Sequence, residues 1–407
     1  MNDALRVGLV GAGGFGQNHL RALEDFDASG LLKFVAVADP TVQKLQVEKA
    51  RVEARGVRWF EDYRAMLEAC ELDAVVISTP IPLHLPMLEA ALDRKLAVFL
   101  EKPPVPLIQD FLRIKDRPES SRVALGFKLI ADPYLWHLKQ AMLEGALGTI
   151  RRITGTGCWP RLDSYYNRAS WAGKILWNEM PVMDGPATNA LAHIIHNIMF
   201  LGGESLAGFA VPRTACGELY RARPIETYDV CCLNGQWENG VEFAAAFTHA
   251  VEQRGEWAIT VEGEKGRAFL NAEGVTIEGV AVPAADVSEA DTFRTCWLDF
   301  HAMATGRVAK PLTSFADCLG YVAATNAMFQ SSGKIHDLPQ AVVRRFEKGE
   351  DGGYDVSSIA AHVEQVGKTG CLFSDHGVPW AVPGVPVKAS ALRELSINDF
   401  LPEAVPA

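Results

Sequence analysis

The sequence predicts an α/β protein in which an N-terminal doubly wound parallel sheet is followed by an α+β domain with a mostly antiparallel sheet. Three observations predict this. An apolar run, Val7 to Val10, leads directly into the glycine-rich stretch Gly11-Ala12-Gly13-Gly14-Phe15-Gly16 and then a helical segment from Gln17 to Leu23. Further apolar runs, FVAVAD, LDAVVIST and KLAVFL, alternate with helical segments, as strands and crossover helices do in a parallel sheet. From 205 to 281 the pattern changes to β-like runs separated by glycine-containing turns (TYDVCCLNG, VEFAAAFTHAV, WAITVEGEKG, RAFLNAEGVTIEG), the layout of an antiparallel meander.

Composition sets the outer limits. A chain of 407 residues is long for one core, so two or more domains are expected. A formal net charge of -11 disfavours nucleic acid and anionic membranes as partners, since both need basic patches. No apolar run approaches the roughly 20 residues of a membrane span, and MNDALRVGLVG lacks a leader's basic-then-apolar layout. The cysteines (70, 158, 216, 231, 232, 296, 318 and 371) are scattered, with no CxxC and no Cys/His cluster. That usage fits reduced thiols in a cytoplasmic protein and no metal site.

The first element has a chemical reason. In GxGxxG the glycines permit a tight turn, close approach of backbone to a pyrophosphate and packing of helix on strand. Gly11, Gly13, Gly14, Phe15 and Gly16 are therefore candidate cofactor contacts, and the helix that follows offers free N–H groups to phosphate. The second strand ends in Asp39, 23 residues after Gly16. A carboxylate there accepts the ribose hydroxyls and repels a 2′-phosphate, so the expected cofactor is NAD, with NADP disfavoured. The rival reading of Asp39 is a cap for the helix starting near Thr41. The third and fourth strands end in Ser78-Thr79-Pro80, with His84 close behind, and Glu101-Lys102-Pro103-Pro104. Both are polar strand ends where such sheets bind ligands.

These motifs, VGLVGAGGFGQNH, VADP, VVISTPIPLH and FLEKP in order over about the first 128 residues, resemble the glucose–fructose oxidoreductase / inositol dehydrogenase / MocA family. The resemblance implies a Rossmann domain, then an α/β domain with a large open sheet, and hydride transfer between a nicotinamide and a sugar, polyol or related carbohydrate. It further implies that Lys102 lies beside the nicotinamide and the reacting carbinol, that Glu101, Thr79, Pro80 and His84 serve the cofactor, and that the Lys102-Pro103 bond is cis. An ammonium beside an alcohol oxygen stabilises the charge that grows as the hydroxyl proton leaves.

MDGPATNALAHIIHNI (183–198) predicts a helix with Asp184 as N-cap and Pro186 in its first turn. Asn189, His193 and Asn197 fall on one stripe of that apolar helix. The resemblance puts His193 on the family's histidine and Asn189 on a position that is commonly aspartate. His196 stands where another aspartate is common. His193 is the candidate general acid/base and Asn189 its companion, although Asn189 cannot accept a proton. A satisfied core histidine is the rival. Upstream, RLDSYYNRASWAGK (161–174) is rich in aromatic and hydrogen-bonding side chains, which suits a sugar's C–H faces and hydroxyls. Arg161, Tyr165, Tyr166 and Trp171, with Lys128 and Asp184, are the candidate substrate contacts.

Domains are accordingly expected at 1–127, 128–340 and 341–407, the last a Pro- and Gly-rich extension of unassigned role, with helices over 284–304 and 314–331. An uncovered sheet face would favour a homodimer or homotetramer. The reaction expected is NAD-dependent oxidation or reduction of a carbohydrate-like carbinol. The alternatives are a glycosidase or epimerase that retains its NAD, and a non-enzymatic nucleotide- and sugar-binding regulator.

Overall fold

Six short apolar strands, β1 (Leu5–Val10), β2 (Leu32–Ala38), β3 (Arg58–Phe60), β4 (Ala74–Ile77), β5 (Ala97–Leu100) and β6 (Val123–Leu125), form the first sheet of the computed structural model, which describes residues 4–282 and 288–401. Their order is β3-β2-β1-β4-β5-β6, with every neighbouring pair parallel. Strands β4 and β5 are buried at every position, as expected where helices cover both faces. The chain order reverses between β1 and β4. Ligands bind at such a reversal, outside the carboxyl ends of the strands.

The chain divides into two compact units. The first combines Met1–Val105, Asp110–Ala131 and Ser288–Ala316; the second combines Pro106–Gln109, Asp132–Val287 and Asp317–Ala407. Sequence order placed everything from 128 to 340 in one domain, yet the helix Glu289–Ala304 belongs with the first sheet. The reason is aromatic packing: Phe293 and Trp297 meet His19, while Trp297 and Phe300 meet Phe99, with ring centroids 5.0–5.6 Å apart. Ser288 starts this helix through a capping box with Asp291. The expected start at 284–287 lies outside the described residues.

The second unit is built on an eight-stranded sheet in the order Gly274–Ile277, Arg267–Asn271, Gly255–Gly263, Ile150–Cys158, Glu242–Thr248, Val230–Gln236, Thr214–Arg221, His336–Asp337. It is mostly antiparallel. Ile150–Cys158 runs parallel to Glu242–Thr248, and His336–Asp337 runs parallel to Thr214–Arg221. The period of two along Ile150–Cys158 separates two helical layers. A Cβ on Gly155 would sit 2.5 Å from Ile194, and one on Gly157 would sit 2.9 Å from Leu191, so glycine lets the helix Ala192–Gly202 lie close. On the opposite face Thr154 donates to Gly367 O of the helix Ile359–Thr369.

That second face corrects an expectation. The extension covers part of it within the chain: Ile359, Val363, Val366, Leu372, Phe373, Val378 and Trp380 form one buried cluster with Tyr220, Val230, Cys232, Ala244 and Ala246 of the sheet. Buried Glu218 pins the extension by accepting from Ser374 N at 3.2 Å and from Tyr220 Oη at 2.8 Å. No helix among the described residues is long and apolar enough to cross a membrane.

Candidate functional site

In the first unit the turn after β1 depends on two glycines. Gly11 has φ +86°, and a Cβ there would lie 2.4 Å from Ser78 O; a Cβ on Gly16 would lie 2.1 Å from Gly11 O. Any side chain at either position would break the close passage of loop, helix and β4. Asp39, 5% exposed, closes the loop from the next strand. Its Oδ2 accepts from Ala12 N at 2.8 Å and Gly13 N at 3.3 Å, and its Oδ1 accepts from Thr41 N at 2.8 Å. The carboxylate thus both orders the glycine loop and caps the turn at Thr41. Gly14, at φ +53°, has open space where a side chain would stand. This cradle, closed to side chains on one side and open on the other, fits the pyrophosphate of NAD.

The neighbouring strand ends are held from beneath. His84 is buried, with Nδ1 2.8 Å from Pro103 O and Nε2 3.0 Å from Thr79 O. Burial pushes its pKa down, against the pull of these carbonyls. The neutral ring donates once, and Pro103 O is the closer acceptor. His84 therefore holds the segment after β5 through Pro103 O, with its other nitrogen against Thr79 O, rather than presenting a ring nitrogen to a ligand. Glu101 pairs with buried His19 at 2.9 Å and accepts from Lys102 N at 3.2 Å. A Cβ on Gly126 would strike its carboxylate at 2.7 Å. Lys102 is half-buried, and the Lys102-Pro103 bond is cis. Lys128, expected among the substrate contacts, lies in this unit: it is ion-paired with Glu289, and its ammonium stands 5.5 Å from the Phe15 ring centroid.

In the second unit the helix of residues 183–198 is not continuous. Pro186–Ala190 forms a π-turn with Gly185 in the capping position, and the α-helix begins at Ala192. The stripe through Asn189 and His193 is interrupted at Leu191, as single π-turns at functional positions often do. Asp184 is not the N-cap. Its carboxylate accepts from Gly173 N at 2.8 Å and from Asn189 Nδ2 at 2.7 Å. Facing a carboxylate, the Asn189 amide must present its NH2, which turns its carbonyl oxygen away as an acceptor. His193 is 8% exposed. His196 is fully buried against Phe209, and burial takes its pKa down to about 3, so it belongs to the core.

Arg161, Tyr165 and Tyr166 come together, and Trp171 joins them through Arg168, whose guanidinium lies 3.6 Å from the Tyr165 ring centroid and 4.9 Å from that of Trp171. The sequence reading missed the other half of this cluster. Tyr166 Oη is 3.1 Å from His249 Nδ1, and Arg223, over the Tyr166 ring, forms a buried ion pair with Asp229 at 2.9 Å. The signal was present: Asp229 and His249 are the polar interruptions in the apolar runs TYDVCCLNG and VEFAAAFTHAV. Among the described residues no group of His, Cys, Asp and Glu side chains is arranged to hold a metal.

Comparison with known proteins agrees with the first unit's geometry. A model of the oxidoreductase family with an NAD-binding Rossmann fold matches residues 5–128. Inositol 2-dehydrogenase 4 of Saccharopolyspora erythraea is 36% identical over 150 residues, covering 36% of this chain and 43% of that protein. D-Apiose dehydrogenase of Paraburkholderia graminis is 26% identical over 277 residues, covering 65% of this chain and 67% of that protein. The chain spans about half the length of the first curated relatives it matches. The WlbA dehydrogenase of Bordetella pertussis, solved with NADH and UDP-GlcNAcA, superimposes with a TM-score of 0.70 at 24% identity, over 82% of this chain and 96% of that one. At that identity the likeness shows the fold.

Proposed function

We propose that the chain, whose residues 5–128 match the model of the glucose–fructose oxidoreductase / inositol dehydrogenase / MocA family of NAD-binding oxidoreductases, transfers a hydride between nicotinamide and a carbinol carbon of a sugar, cyclic polyol or sugar derivative. The observation that carries this reading is the glycine loop held by Asp39 at the reversal of strand order, with Lys102 two strands along. NAD, when bound, takes up or returns the hydride. Asp39 selects it over NADP, because a 2′-phosphate would meet a buried carboxylate. Glu101 and His84 position the Lys102 backbone, the first through Lys102 N and the second through Pro103 O. The Lys102 ammonium stabilises negative charge on the reacting oxygen. His193 exchanges the hydroxyl proton, and Asn189, its amide fixed by Asp184, orients a hydroxyl with its carbonyl oxygen.

Assembly through the part of the large sheet around Tyr220, Val230, Cys232, Ala244 and Ala246 would have to displace the extension packed there. We place the protein in the cytoplasm on its eight free thiols. A screen of NAD reduction and thermal shift over sugars, polyols, lactones and sugar acids tests the function. Turnover with net NADH supports it. Turnover without net NADH signals a retained cofactor, and absence of turnover across the panel overturns it.

A further inference from the structure

We propose that the second unit carries a binding site for an anionic oxygen group, a carboxylate or phosphate, formed by Arg161, Arg168 and Arg223 around His249, so that the substrate is an acidic carbohydrate. The substrate class rests on the oxidoreductase reading above; the anion site rests on the geometry that follows.

Four ring or guanidinium nitrogens in this neighbourhood, Trp159 Nε1, Arg161 Nε, Arg223 Nη1 and His249 Nε2, are buried and have no acceptor among the described residues. Hydrogen bonds and backbone contacts tie them together. Arg161 N donates to His249 O at 3.2 Å, Arg223 Nη2 donates to Arg161 O at 2.9 Å, and Trp159 N donates to Thr248 O beside His249. Tyr166 Oη lies 3.1 Å from His249 Nδ1, a contact that serves either neutral tautomer of the ring. With Tyr166 donating to Nδ1 the ring's proton sits on Nε2 and adds a fourth donor to the three fixed N–H groups of Trp159, Arg161 and Arg223. Buried donors without acceptors are rare in folded proteins, and three in one place, Trp159 Nε1, Arg161 Nε and Arg223 Nη1, call for an oxygen-rich partner.

The charge balance points the same way. Asp229 is answered by Arg223 Nε at 2.9 Å and Ala222 N at 2.8 Å. Asp184 is answered by Gly173 N and Asn189. Arg161 and Arg168 have no carboxylate within ion-pair distance among the described residues. Their guanidinium groups lie instead over aromatic rings, Arg161 over Tyr165 at 4.7 Å and Arg168 over Tyr165 at 3.6 Å. Arg168 donates from Nη1 to Tyr165 O and Arg161 from Nη1 to Pro160 O at 3.5 Å, which leaves the other N–H groups of each guanidinium for an anionic acceptor. The aromatic faces suit the C–H surface of a sugar ring carrying that anion.

The test measures binding apart from turnover. Calorimetry with glucuronate, glucose 6-phosphate, inorganic phosphate and neutral glucose, each with and without NADH, compares the wild type with Arg161→Met and Arg168→Met. Arg168 is on the exposed rim, so its variant keeps the test valid where Arg161→Met fails to fold. At least one anion is expected to bind ten-fold or more tightly than glucose, with that preference reduced at least five-fold in Arg168→Met and NADH affinity unchanged. Preference for glucuronate over the phosphates identifies a carboxylate site, and the reverse identifies a phosphate site. Anions that bind no better than glucose, or equally well to both variants, overturn the proposal and show that the donors hold only water. Loss of NADH binding and turnover in the wild type, with anion binding intact, would overturn the oxidoreductase reading instead.

Discussion

The Asn189 amide donates to the Asp184 carboxylate at 2.7 Å, and this contact decides what position 189 tolerates. Asn189→Asp introduces the carboxylate that the family resemblance implies at this position, but it does so against one already present. Two carboxylates at that distance cannot both ionise, so the folded pair keeps a proton that the unfolded chain releases near pH ~4. A pKa raised by folding gives stability that fades as pH rises through it. The variant should therefore melt near the wild type at pH 5 and lose about 1–3 kcal/mol by pH 8. Asn189→Ala should show no such trend. Thermal melts of both variants at the two pH values check this, and an equal loss at both pH values for Asn189→Asp would contradict the contact.

The same contact shows how far the sequence could be read. The parallel sheet, the glycine loop and the polar strand ends were legible because each is a local pattern with one structural outcome. Asp184 was not. As a residue before Gly-Pro it had the local signature of an N-cap, but the carboxylate turned to Gly173 N, eleven residues upstream. The π-turn over Pro186–Ala190 was equally invisible, because its five residues carry helix-compatible types. Arg223, Asp229 and His249 are brought together by sheet register, which spacing along the chain does not encode. The helix Glu289–Ala304 was recognised as a helix but assigned to the wrong unit, since its Phe293, Trp297 and Phe300 could serve either core.

Asp39 makes cofactor choice measurable. Its carboxylate accepts from Ala12 N and Gly13 N as well as from Thr41, so removing it loosens the loop for either dinucleotide. The informative quantity is therefore the ratio of dissociation constants for NADH and NADPH. The wild type should favour NADH by at least ~10-fold, about 1.4 kcal/mol. Asp39→Ala should weaken both and narrow the ratio. Tighter NADPH binding by the wild type would remove Asp39 from its role.

Lys102 separates binding from chemistry. If its ammonium stabilises the reacting oxygen, Lys102→Ala should lower kcat by at least ~10²-fold with NADH affinity nearly unchanged. A variant that loses only NADH affinity would make Lys102 a cofactor contact. His84→Ala, which frees Pro103 O, should lower kcat less, because it moves the lysine without removing it.

Phe373 tests the cover on the large sheet. It is completely buried between the extension and the sheet, 5.5 Å from Trp380 and 6.2 Å from Tyr220 between ring centroids. Phe373→Ala should cost about 3–5 kcal/mol. Light scattering should show the wild type unassembled through this face, and the variant prone to self-association as apolar surface opens. A wild-type oligomer that dissociates on this substitution would restore the sheet as an interface.

Lys139 gives a pH signature inside the second unit. Its side chain is fully buried, and its ammonium donates to Phe200 O at 2.7 Å, Leu201 O at 3.1 Å and Gly203 O, the last carbonyls of the helix that carries His193. A cation there satisfies orphaned acceptors and opposes the helix dipole. Burial nevertheless pulls its pKa from 10.5 to about 8. Between those values the unfolded chain binds the proton that the folded chain has released, so this lysine's contribution to stability rises with pH across the window. Lys139→Met keeps the length, removes the donors and removes the titration. It should lose about 1–3 kcal/mol from the unpaired carbonyls. The difference between wild-type and variant stability, followed by denaturant unfolding from pH 7 to pH 10, should grow with pH. A constant difference would mean that the three carbonyls hold the lysine charged throughout, and the capping role would then be purely electrostatic.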